Sequence, residues 1–500
     1  MNANLYALLH DHFAEHAEQP CLLIPGGPVI HYDDLEATSA RIAHALLGAG
    51  CRAGDRVAVQ VEKSWEALAL YLACLRAGLV YLPLNTGYTL SANELPYFFE
   101  DADPAAIVCQ AELLDAITSL RPQAAVMTLH GDSVSLLGRA AEKPALFDTM
   151  HSRPDDLAAI LYTSGTTGRS KGAMLTHRNL GSNALTLVEQ WGFTRGDVLL
   201  HALPIYHVHG LFVACHCVML SASRMLWLPK FDAEEVTALL PQATVMMGVP
   251  TFYSRLLAEP DFGELACRSI RVFVSGSAPL LPETFNAFKS RTGRSLLERY
   301  GMTETGMNTS NPLAGERIAG TVGLPLPGVS LRVMGEDGAV CAAGVVGAIE
   351  VKGPNVFAGY WRMPEKTREE FTADGYFRTG DLGELLPNGY VKIVGRAKDL
   401  IISGGLNVYP KEIEEKIDSL PGIAESAVIG VPDADFGEAV TAVVVPKPGM
   451  SLSESEIIAA LKAQIAGFKV PKRVHFVADL PRNTMGKVEK SVLRQRYAAN

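Results

Sequence analysis

Hydroxyl groups, glycines and a lysine are concentrated in the segment 163–172. The hydroxyl residues are Thr163, Ser164, Thr166, Thr167 and Ser170, the glycines are Gly165, Gly168 and Gly172, and the cation is Lys171. Such groups bind phosphate oxygens through backbone N–H groups, hydroxyls and positive charge, and glycine allows a close backbone approach. Because Lys171 follows a serine rather than a glycine, the segment is not the P-loop of nucleoside triphosphatases. We therefore predict a phosphate-binding loop of another type, in preference to a flexible surface loop.

The elements that must position this loop are predicted from short apolar runs that alternate with helical patterns. Strands are predicted at Val57–Gln60, Ala106–Cys109, Ala158–Tyr162, Thr244–Met247 and Ile270–Val274, and helices at Ser64–Leu75 and Phe231–Leu240. Strand–helix alternation predicts an α/β fold with a largely parallel sheet. The phosphate-binding loop then follows directly after a strand.

The pattern changes after about residue 318, where glycine and proline become frequent. Short runs at Val329–Val333 and Ala348–Val351 predict antiparallel strands, and Asn388-Gly389 predicts a hairpin turn. The last hundred residues form a separate α+β pattern with a helix beginning at Pro410. We predict a large N-terminal domain, 1–395, with mixed or parallel sheets, helices and a small antiparallel β subdomain. A small, mobile α+β C-terminal domain, 396–500, follows it.

Composition excludes several classes of protein. The chain has 44 Lys and Arg against 54 Asp and Glu, a net charge of −10, so it lacks the basic excess typical of nucleic-acid-binding proteins. No uncharged apolar stretch reaches the length of about 18 residues that a membrane span needs. The N-terminal segment is acidic and has no arginine before Arg41, unlike a targeting peptide. The eight cysteines are scattered without a CxxC pair, which favours reduced thiols in a cytoplasmic protein.

Five motifs occur in series over almost the whole chain. After the phosphate-binding loop come Glu298–Glu304 (ERYGMTE), Tyr376–Asp381 (YFRTGD), Gly395–Asp399 (GRAKD) with Ser403–Gly405 (SGG), and Pro481–Lys487 (PRNTMGK). This series resembles the adenylate-forming superfamily of acyl-CoA synthetases, adenylation domains and luciferases. The resemblance implies that fold and a two-step reaction. A carboxylate and MgATP first give an acyl-adenylate and pyrophosphate, and coenzyme A then displaces AMP.

The resemblance also implies which residues bind ATP, and the residue types fit those roles. Tyr300 offers an aromatic face to adenine, and Glu304 is a hard oxygen ligand for Mg²⁺ that Thr163 shares. Asp381 accepts hydrogen bonds from ribose hydroxyls, and Arg396 pairs with ribose or phosphate. The predicted ATP-binding residues are Thr163, Ser164, Gly165, Thr166, Thr167, Gly168, Lys171, Ser277, Ala278, Tyr300, Gly301, Met302, Thr303, Asp381, Arg396 and Lys487. Taken alone, Asp381 and Arg396 would be interpreted as a turn carboxylate and a solvated cation.

Lys487, Thr303 and Glu304 are the predicted catalytic residues. The resemblance implies that Lys487 stabilises the charge that develops during adenylation, and that Lys398 is the hinge of the C-terminal domain. Rotation about this hinge withdraws Lys487 and brings Ser403, Gly404 and Gly405 to form the tunnel for the coenzyme A thiol. Acylation of Lys487 by a lysine acyltransferase would remove its charge.

The carboxylate substrate is predicted from residues around Arg299. Arg299 presents a fork suited to a carboxylate, and together with His207 it is predicted to hold a second, distal carboxylate of the substrate. The segment Tyr206–Leu211 (YHVHGL), Glu298–Glu304 and Met307–Ser310 (MNTS) resemble malonyl-CoA synthetases. We therefore predict malonate as the substrate, with methylmalonate as a second.

Several alternatives remain open at this stage. Arg299 has a structural interpretation as an ion pair with Glu298 or another acid, His207 as an aromatic gate and His209 as a structural residue. Arg255 and Arg317 are lower-ranked partners for the distal carboxylate. The alternative activities are a short-chain or aryl monocarboxylate–CoA ligase, a carrier-loading adenylation domain and a luciferase-type oxidase. The alternative without catalysis is an AMP-binding scaffold.

Overall fold

The computed structural model describes residues 2–91, 94–163, 170–404, 406–433, 435–450, 452–483 and 486–498. Its helices are α1 Leu5–Phe13, α2 Tyr32–Gly48, α3 Trp65–Arg76, α4 Glu94–Ala102, α5 Leu114–Leu120, α6 Leu136–Ala140, α7 His177–Gln190, α8 His216–Leu220, α9 Ala233–Leu239, α10 Pro250–Leu256, α11 Pro282–Thr292, α12 Pro364–Glu370, α13 Pro410–Asp418, α14 Glu454–Lys462 and α15 Lys490–Tyr497. A π-helix, His209–Cys215, leads directly into α8.

The strands are β1 Pro20–Leu23, β2 Val29–His31, β3 Arg56–Gln60, β4 Val80–Pro83, β5 Ala106–Cys109, β6 Ala125–Thr128, β7 Leu157–Thr163, β8 Lys171–Thr176, β9 Val198–His201, β10 Arg224–Trp227, β11 Val245–Gly248, β12 Val272–Ser275, β13 Leu297–Met302, β14 Gly306–Ser310, β15 Leu324–Pro325, β16 Ser330–Met334, β17 Gly347–Lys352, β18 Gly359–Tyr360, β19 Phe377–Leu385, β20 Val391–Arg396, β21 Ile401–Ser403, β22 Leu406–Val408, β23 Ile423–Asp433, β24 Gly437–Pro446 and β25 Arg473–Phe476. Together with the helices they form the mixed α/β architecture that the sequence predicts.

Two large sheets form the N-terminal part of the molecule. One has the strand order β18-β8-β7-β4-β3-β5-β6 and the other β15-β14-β13-β12-β11-β9-β10-β1-β2. The central strands of both run parallel, whereas β8 pairs antiparallel with β7, and β14 with β13. In each antiparallel pair the chain turns back after the first strand. Thr163 is the last residue of β7, and Tyr300 lies two residues before the end of β13.

The antiparallel subdomain is a separate sheet of order β16-β17-β19-β20. The predicted hairpin at Asn388-Gly389 is confirmed, because Leu385 of β19 pairs with Val391 of β20 and Gly389 has a positive φ of 84°. The strand β19 carries Asp381, and β20 ends at Arg396. This sheet therefore delivers an acid and a base to neighbouring positions.

The C-terminal residues form a fourth sheet, β22-β21-β24-β23, with β25 paired to β24. The predicted helix at Pro410 is confirmed as α13, which buries Ile413 and Ile417 against this sheet. A short 3₁₀ turn, Ala397–Asp399, connects β20 to β21. The hydrogen bonds that join the described residues of the C-terminal unit to the rest of the molecule include those from Lys411 Nζ to the Ile393 carbonyl at 2.9 Å and from the Asn407 amide to Glu336 at 3.3 Å.

One predicted strand begins later than expected. The apolar run Ile270–Val274 corresponds to β12, which begins only at Val272. Ile270 is fully buried, but its backbone N–H closes a turn on the Cys267 carbonyl. An apolar run therefore records burial of the side chain and does not record the point at which backbone pairing begins.

The surface and the cysteines agree with the sequence prediction where the structure describes them. The helices of the described residues include none with the length and apolarity needed to cross a bilayer. All eight cysteines are free thiols, and only Cys341 is not buried. The C-terminal unit leaves three large apolar side chains exposed, those of Ile402, Leu406 and Phe436, with exposed fractions of 53%, 47% and 41%.

Candidate active site

The carboxylate of Asp381 lies at the centre of one group of predicted site residues. Tyr300 donates its hydroxyl proton to Oδ2 at 2.5 Å, and Arg396 Nε donates to Oδ1 at 2.7 Å. The Asp381 backbone N–H donates to the Thr379 hydroxyl at 3.1 Å, which fixes the start of the turn into the carboxylate. The structure thus joins residues from β13, β19 and β20 that sequence alone placed up to about a hundred positions apart.

Burial and charge fix the protonation states of this group. Burial raises the pKa of Tyr300 well above its usual value, and the neighbouring Asp381 raises it further. Burial alone would lower the pKa of Arg396, but the charges of Asp381, Tyr300 and Glu304 raise it instead. The group is therefore a neutral phenol, a carboxylate and a guanidinium, which can hydrogen-bond hydroxyl groups and attract phosphate.

Glu304 forms a second group with Tyr360 and Lys171. The Glu304 side chain is buried, and Tyr360 donates its hydroxyl proton to Oε1 at 3.1 Å. Lys171 Nζ lies 4.3 Å from the centre of the Tyr360 ring. Burial raises the pKa of Glu304, whereas the charges of Arg396 and Lys171 oppose that rise. A buried carboxylate with cations on two sides suits an anionic ligand accompanied by a divalent cation.

Thr163 and Lys171 mark the two ends of the predicted phosphate-binding loop. They pair across the β7–β8 ladder, and the Thr163 hydroxyl donates to the Lys171 carbonyl at 3.4 Å. Lys171 Nζ is also 3.9 Å from Glu370. The predicted phosphate-binding residues Ser164, Gly165, Thr166, Thr167 and Gly168 lie outside the described residues. The ladder nevertheless pairs the two ends of their segment, and Lys171 at one end lies over the Tyr360 ring, whose hydroxyl contacts Glu304.

Lys487 reaches the same cleft from the C-terminal unit. Its backbone N–H donates to the Asn483 side chain at 3.0 Å, and a Cβ at Gly486 would lie 3.4 Å from the Thr251 hydroxyl of α10. The Lys487 side chain keeps contact with solvent. The surrounding protein lowers its pKa, chiefly by burial and then by the Arg396 charge, while Asp381 and Glu304 oppose this. The ammonium is therefore within electrostatic range of both groups described above.

Arg299 lies on the other side of β13, buried against the chain at Gly276. Its side chain is only 3% exposed. A Cβ at Gly276 would lie 2.4 Å from the Arg299 Cζ atom, so only glycine leaves room for the guanidinium. Arg299 Nη2 donates to the Ser277 hydroxyl at 3.4 Å, and Nε has no partner among the described residues. Ser277 itself has a positive φ of 73°, a strained conformation for a residue with a side chain.

The histidines near Arg299 are neutral. Burial lowers the pKa of His207 to about 4, and burial followed by the charge of Arg299 lowers the pKa of His209 well below its usual value. His209 Nδ1 lies 3.3 Å from the Ser277 hydroxyl, so His209 supports the position of Ser277. The positive charge on this side of the cleft therefore comes from Arg299, and His207 contributes a neutral ring.

The ion-pair interpretation of Arg299 does not hold in the described residues, where no carboxylate pairs with it. Glu298 instead accepts the Leu280 backbone N–H at 3.3 Å, and its other oxygen has no partner. Arg317 donates to the carbonyls of Pro312, Ser295 and Leu313, so it is structural. Arg255 is exposed on α10. The two lower-ranked arginines are thus less suited to a buried carboxylate than Arg299.

The remaining predicted residues occupy the rim of the cleft. Gly301 pairs closely with β14, where a Cβ would lie 2.1 Å from the Gly306 carbonyl, and Met302 and Thr303 follow it. Ala278 follows Ser277 and is partly exposed. In the C-terminal unit, Lys398 is exposed in the turn after β20. Ser403 is the last residue of β21, and Gly404 follows it. Gly405 lies outside the described residues.

Sequence reasoning missed Tyr360 and Gly276. Tyr360 stands in no motif of its own, and only the pairing of β18 with β8 carries it to Glu304 and Lys171. Gly276 did carry a signal, because a glycine directly before Ser277 and after a buried strand permits a close approach of another side chain. The partner in that approach, Arg299, follows from the adjacent parallel strands β12 and β13.

Family models match both parts of the chain. A model described as AMP-binding enzyme matches residues 9–361, and one described as AMP-binding enzyme C-terminal domain matches residues 412–487. These ranges contain Thr163, Lys171, Arg299, Glu304, Tyr360 and Lys487, whereas Glu370, Asp381, Arg396, Lys398, Ser403 and Gly404 lie outside them.

Three relatives illustrate the similarity. ATP-bound MatB from Rhodopseudomonas palustris is 55% identical, with 100% of this chain and 99% of that chain covered and a TM-score of 0.97; apo MatB gives a TM-score of 0.86 at the same identity and coverage. The mitochondrial malonate–CoA ligase ACSF3 of Mus musculus is 38% identical over 490 residues, covering 90% of this chain and 83% of the relative. A feruloyl-CoA synthase from an Amycolatopsis species is 35% identical over 477 residues, covering 94% and 95%.

The buried carboxyl of Glu298 predicts a pH-dependent term in stability. Burial raises its pKa to about 7 from 4.5, although the charges of Lys411 and Arg299 lower it in part. This term favours the folded state below the unfolded pKa and is lost as the pH rises through about 7. Glu298→Gln keeps an oxygen for the Leu280 N–H but cannot ionise. Relative to wild type, the variant is therefore expected to gain up to about 3 kcal/mol in free energy of unfolding between about pH 5 and pH 8.

Urea denaturation at the two pH values measures this difference. Glu142→Gln, at an exposed position, is the matched control and is expected to follow wild type at both. A Glu298→Gln variant whose stability relative to wild type is the same at both pH values would contradict the prediction.

Proposed function

Because the chain belongs to the family of AMP-binding enzymes, we propose that it is a malonate–CoA ligase. It uses ATP to convert malonate into malonyl-adenylate and then transfers the malonyl group to coenzyme A. The observation that carries the choice of malonate is the buried guanidinium of Arg299, which has no carboxylate partner in the described residues. The malonate–CoA ligase of the mouse and MatB support the same choice.

A dicarboxylate satisfies Arg299 in a way that a monocarboxylate does not. A buried cation without a counter-charge carries a large desolvation cost. One carboxylate of malonate reacts with ATP, and the other is free to form a charge-assisted hydrogen bond with the guanidinium. The neutral rings of His207 and His209 add no competing positive charge. Methylmalonate carries the same two carboxylates and is the proposed second substrate.

Adenylation is a displacement at the α-phosphorus of ATP. A carboxylate oxygen of malonate forms a bond to that phosphorus, and the bond to the pyrophosphate oxygen breaks. We assign adenine to Tyr300, Ser277 and Ala278, the ribose hydroxyls to Asp381, and the phosphates to Lys171, Thr303, Arg396 and the segment 163–168. Lys487 stabilises the negative charge that builds on the acyl and phosphoryl oxygens.

Glu304 and Thr163 are suited to Mg²⁺. The carboxyl group of Glu304 is a hard oxygen donor, and burial raises its pKa. The ion would neutralise phosphate charge when bound with ATP. The Tyr360 hydroxyl donates a hydrogen bond to Glu304 and so orients its carboxyl group.

The second step needs a different position of the C-terminal unit. The thiolate of coenzyme A attacks the acyl carbon, and the bond to the AMP oxygen breaks. We assign Lys398 as the hinge between domains 1–395 and 396–500, and Ser403, Gly404 and Gly405 as the wall of the thiol tunnel. The exposed apolar side chains of Ile402, Leu406 and Phe436 support this assignment, because apolar side chains at the surface favour an orientation that covers them. The better match to ATP-bound than to apo MatB supports the present orientation as the adenylating one.

Two further assignments accompany the reaction. The free, mostly buried thiols fit a reducing compartment, and we assign the enzyme to the cytoplasm. The solvent contact of Lys487 makes it accessible to a lysine acyltransferase, and acylation would remove the charge used in adenylation.

Arg299→Ala is expected to abolish selection for malonate. The variant loses the charge that binds the distal carboxylate, so kcat/KM for malonate falls by about 100-fold or more, while the KM for ATP is unchanged. Gly276→Ala should act in the same direction, since its Cβ displaces the guanidinium. Pyrophosphate release with malonate, methylmalonate, acetate, butyrate and ferulate measures the change.

Arg255→Ala is the matched control, because it removes an exposed arginine from the same domain. It is expected to keep wild-type kcat and KM for malonate. Preference of the wild-type enzyme for acetate, butyrate or ferulate would replace malonate by a short-chain or aryl monocarboxylate. Unchanged kinetics in Arg299→Ala would remove Arg299 from the substrate site.

Lys487→Ala is expected to separate the two half-reactions. Adenylation loses the cation near the α-phosphate and falls by about 100-fold, whereas thioester formation from preformed malonyl-AMP continues at the wild-type rate. Pyrophosphate release reports the first step, and malonyl-CoA formation from malonyl-AMP reports the second. Equal losses in both steps would contradict the assignment of Lys487 to adenylation.

A further inference from the structure

Lys487 lies in a short hairpin whose two arms are bridged by Arg482 and Val488. The side chain of Arg482 holds this hairpin in position. Arg482 Nη1 donates to the Gly486 carbonyl at 2.6 Å, directly beside Lys487. Its Nη2 forms an ion pair with the Glu425 carboxylate of β23. One guanidinium therefore links the Gly486 carbonyl to the sheet of the C-terminal unit.

The hairpin is also held by backbone hydrogen bonds. Arg482 and Val488 form an isolated antiparallel bridge, and the Glu489 N–H donates to the Pro481 carbonyl at 2.8 Å. Beyond the bridge, Gly486 has a positive φ of 72°, and Lys487 remains in contact with solvent. The described residues beside Lys487 are thus held by polar contacts, among them the Asn483 N–H, which donates to the Lys487 carbonyl at 2.9 Å.

Arg482 also stabilises the partly buried carboxylate of Glu425. The Glu425 side chain is 28% exposed and that of Arg482 is 29% exposed, so the pair is shielded from solvent to a large extent. Burial raises the pKa of Glu425, the charge of Arg482 lowers it, and the charge of Asp479 raises it. Ion pairs with this degree of shielding hold a geometry better than fully exposed pairs do.

We propose that Arg482 is a positioning residue for Lys487, acting on adenylation alone. It holds the Gly486 carbonyl and thereby sets where the Lys487 backbone and ammonium lie relative to Arg396, Asp381 and Glu304. Both partners of Arg482 belong to the C-terminal unit, so the link moves with the unit and does not favour one orientation. The inference rests on the proposed role of Lys487 in the first half-reaction.

The planar fork of arginine is the feature that this role requires. It directs N–H groups to a carbonyl and a carboxylate at once, which the single ammonium of lysine does not do with the same geometry. Arg482→Lys is therefore expected to lose part of the adenylation rate, and Arg482→Ala more. Glu425→Gln, which keeps an acceptor without its charge, is expected to resemble Arg482→Lys.

The alternative is that Arg482 only stabilises the C-terminal unit. Lys490 provides the matched control, because its Nζ pairs with Glu414 at 2.5 Å in the same unit and joins α15 to α13 rather than the hairpin. Loss of general stability impairs both half-reactions, since the unit serves both. Loss of position impairs only the step that uses Lys487.

The experiment measures both half-reactions for Arg482→Ala, Arg482→Lys, Glu425→Gln and Lys490→Ala. Arg482→Ala is expected to lower the kcat of adenylation about 10- to 100-fold with little change in the KM for ATP. Its rate of malonyl-CoA formation from malonyl-AMP should equal that of wild type, which also shows that the unit is folded. Lys490→Ala should change the two steps in equal proportion. Equal losses in both steps for Arg482→Ala would overturn the proposal.

A double-mutant cycle with Lys487→Ala tests whether Arg482 acts through the lysine. In the Lys487→Ala background, Arg482→Ala should cause no further loss of adenylation; a further loss as large as in wild type would overturn the proposal. Normal adenylation in Arg482→Ala beside a defective Lys487→Ala would overturn this inference alone. Normal adenylation in Lys487→Ala would overturn the proposed role of Lys487 and this inference with it.

Discussion

The buried carboxylate of Asp381 holds together the parts of the cleft. It is matched by the Tyr300 hydroxyl from the nine-stranded sheet and by Arg396 from the four-stranded sheet. A buried carboxylate is tolerated only when donors satisfy its oxygens, so the two sheets must keep this mutual position. Arg396 is also the last residue of its strand before the turn that contains Lys398. The carboxylate proposed to bind the ribose and the connection to the C-terminal unit therefore share one ion pair.

On the side of the cleft that carries Arg299, the buried charge lacks a matching charge among the described residues, in contrast to Asp381. Arg299 is buried without a carboxylate in the described residues, and Gly276 provides the space that the guanidinium fills. An incompletely satisfied cation discriminates strongly between ligands, because a ligand without the matching group leaves the cost of burial in place. In the proposed reaction, specificity for the acid thus comes from a charge that the protein leaves unmatched, whereas the carboxylate of Asp381 is already satisfied by Tyr300 and Arg396.

Sequence reasoning found the residues of the cleft but not most of the contacts among them. Asp381 and Arg396 were identified because they stand in motifs of fixed order, and the hairpin at Asn388-Gly389 was identified from local turn chemistry. Tyr360 and Gly276 were missed because their roles arise only from strand neighbours distant in sequence. The alternative pairing of Arg299 with Glu298 is not found among the described residues, because adjacent residues of a strand point to opposite faces. The start of β12 was placed too early because burial does not fix backbone pairing.

The exposed apolar side chains of Ile402, Leu406 and Phe436 have a consequence for the energy of the proposed rotation of the C-terminal unit. Each square ångström of apolar surface covered contributes about 25 cal/mol toward an orientation that buries it. The present orientation is held against that pull by contacts that include the hydrogen bonds from Lys411 and Asn407, each worth on the order of 1 kcal/mol. Free-energy contributions of this size, acting in opposite directions, leave only a small difference in free energy between the two orientations of the C-terminal unit. The occupancy of the cleft by a nucleotide, worth several kcal/mol, is then enough to decide the orientation, and its departure is enough to reverse it.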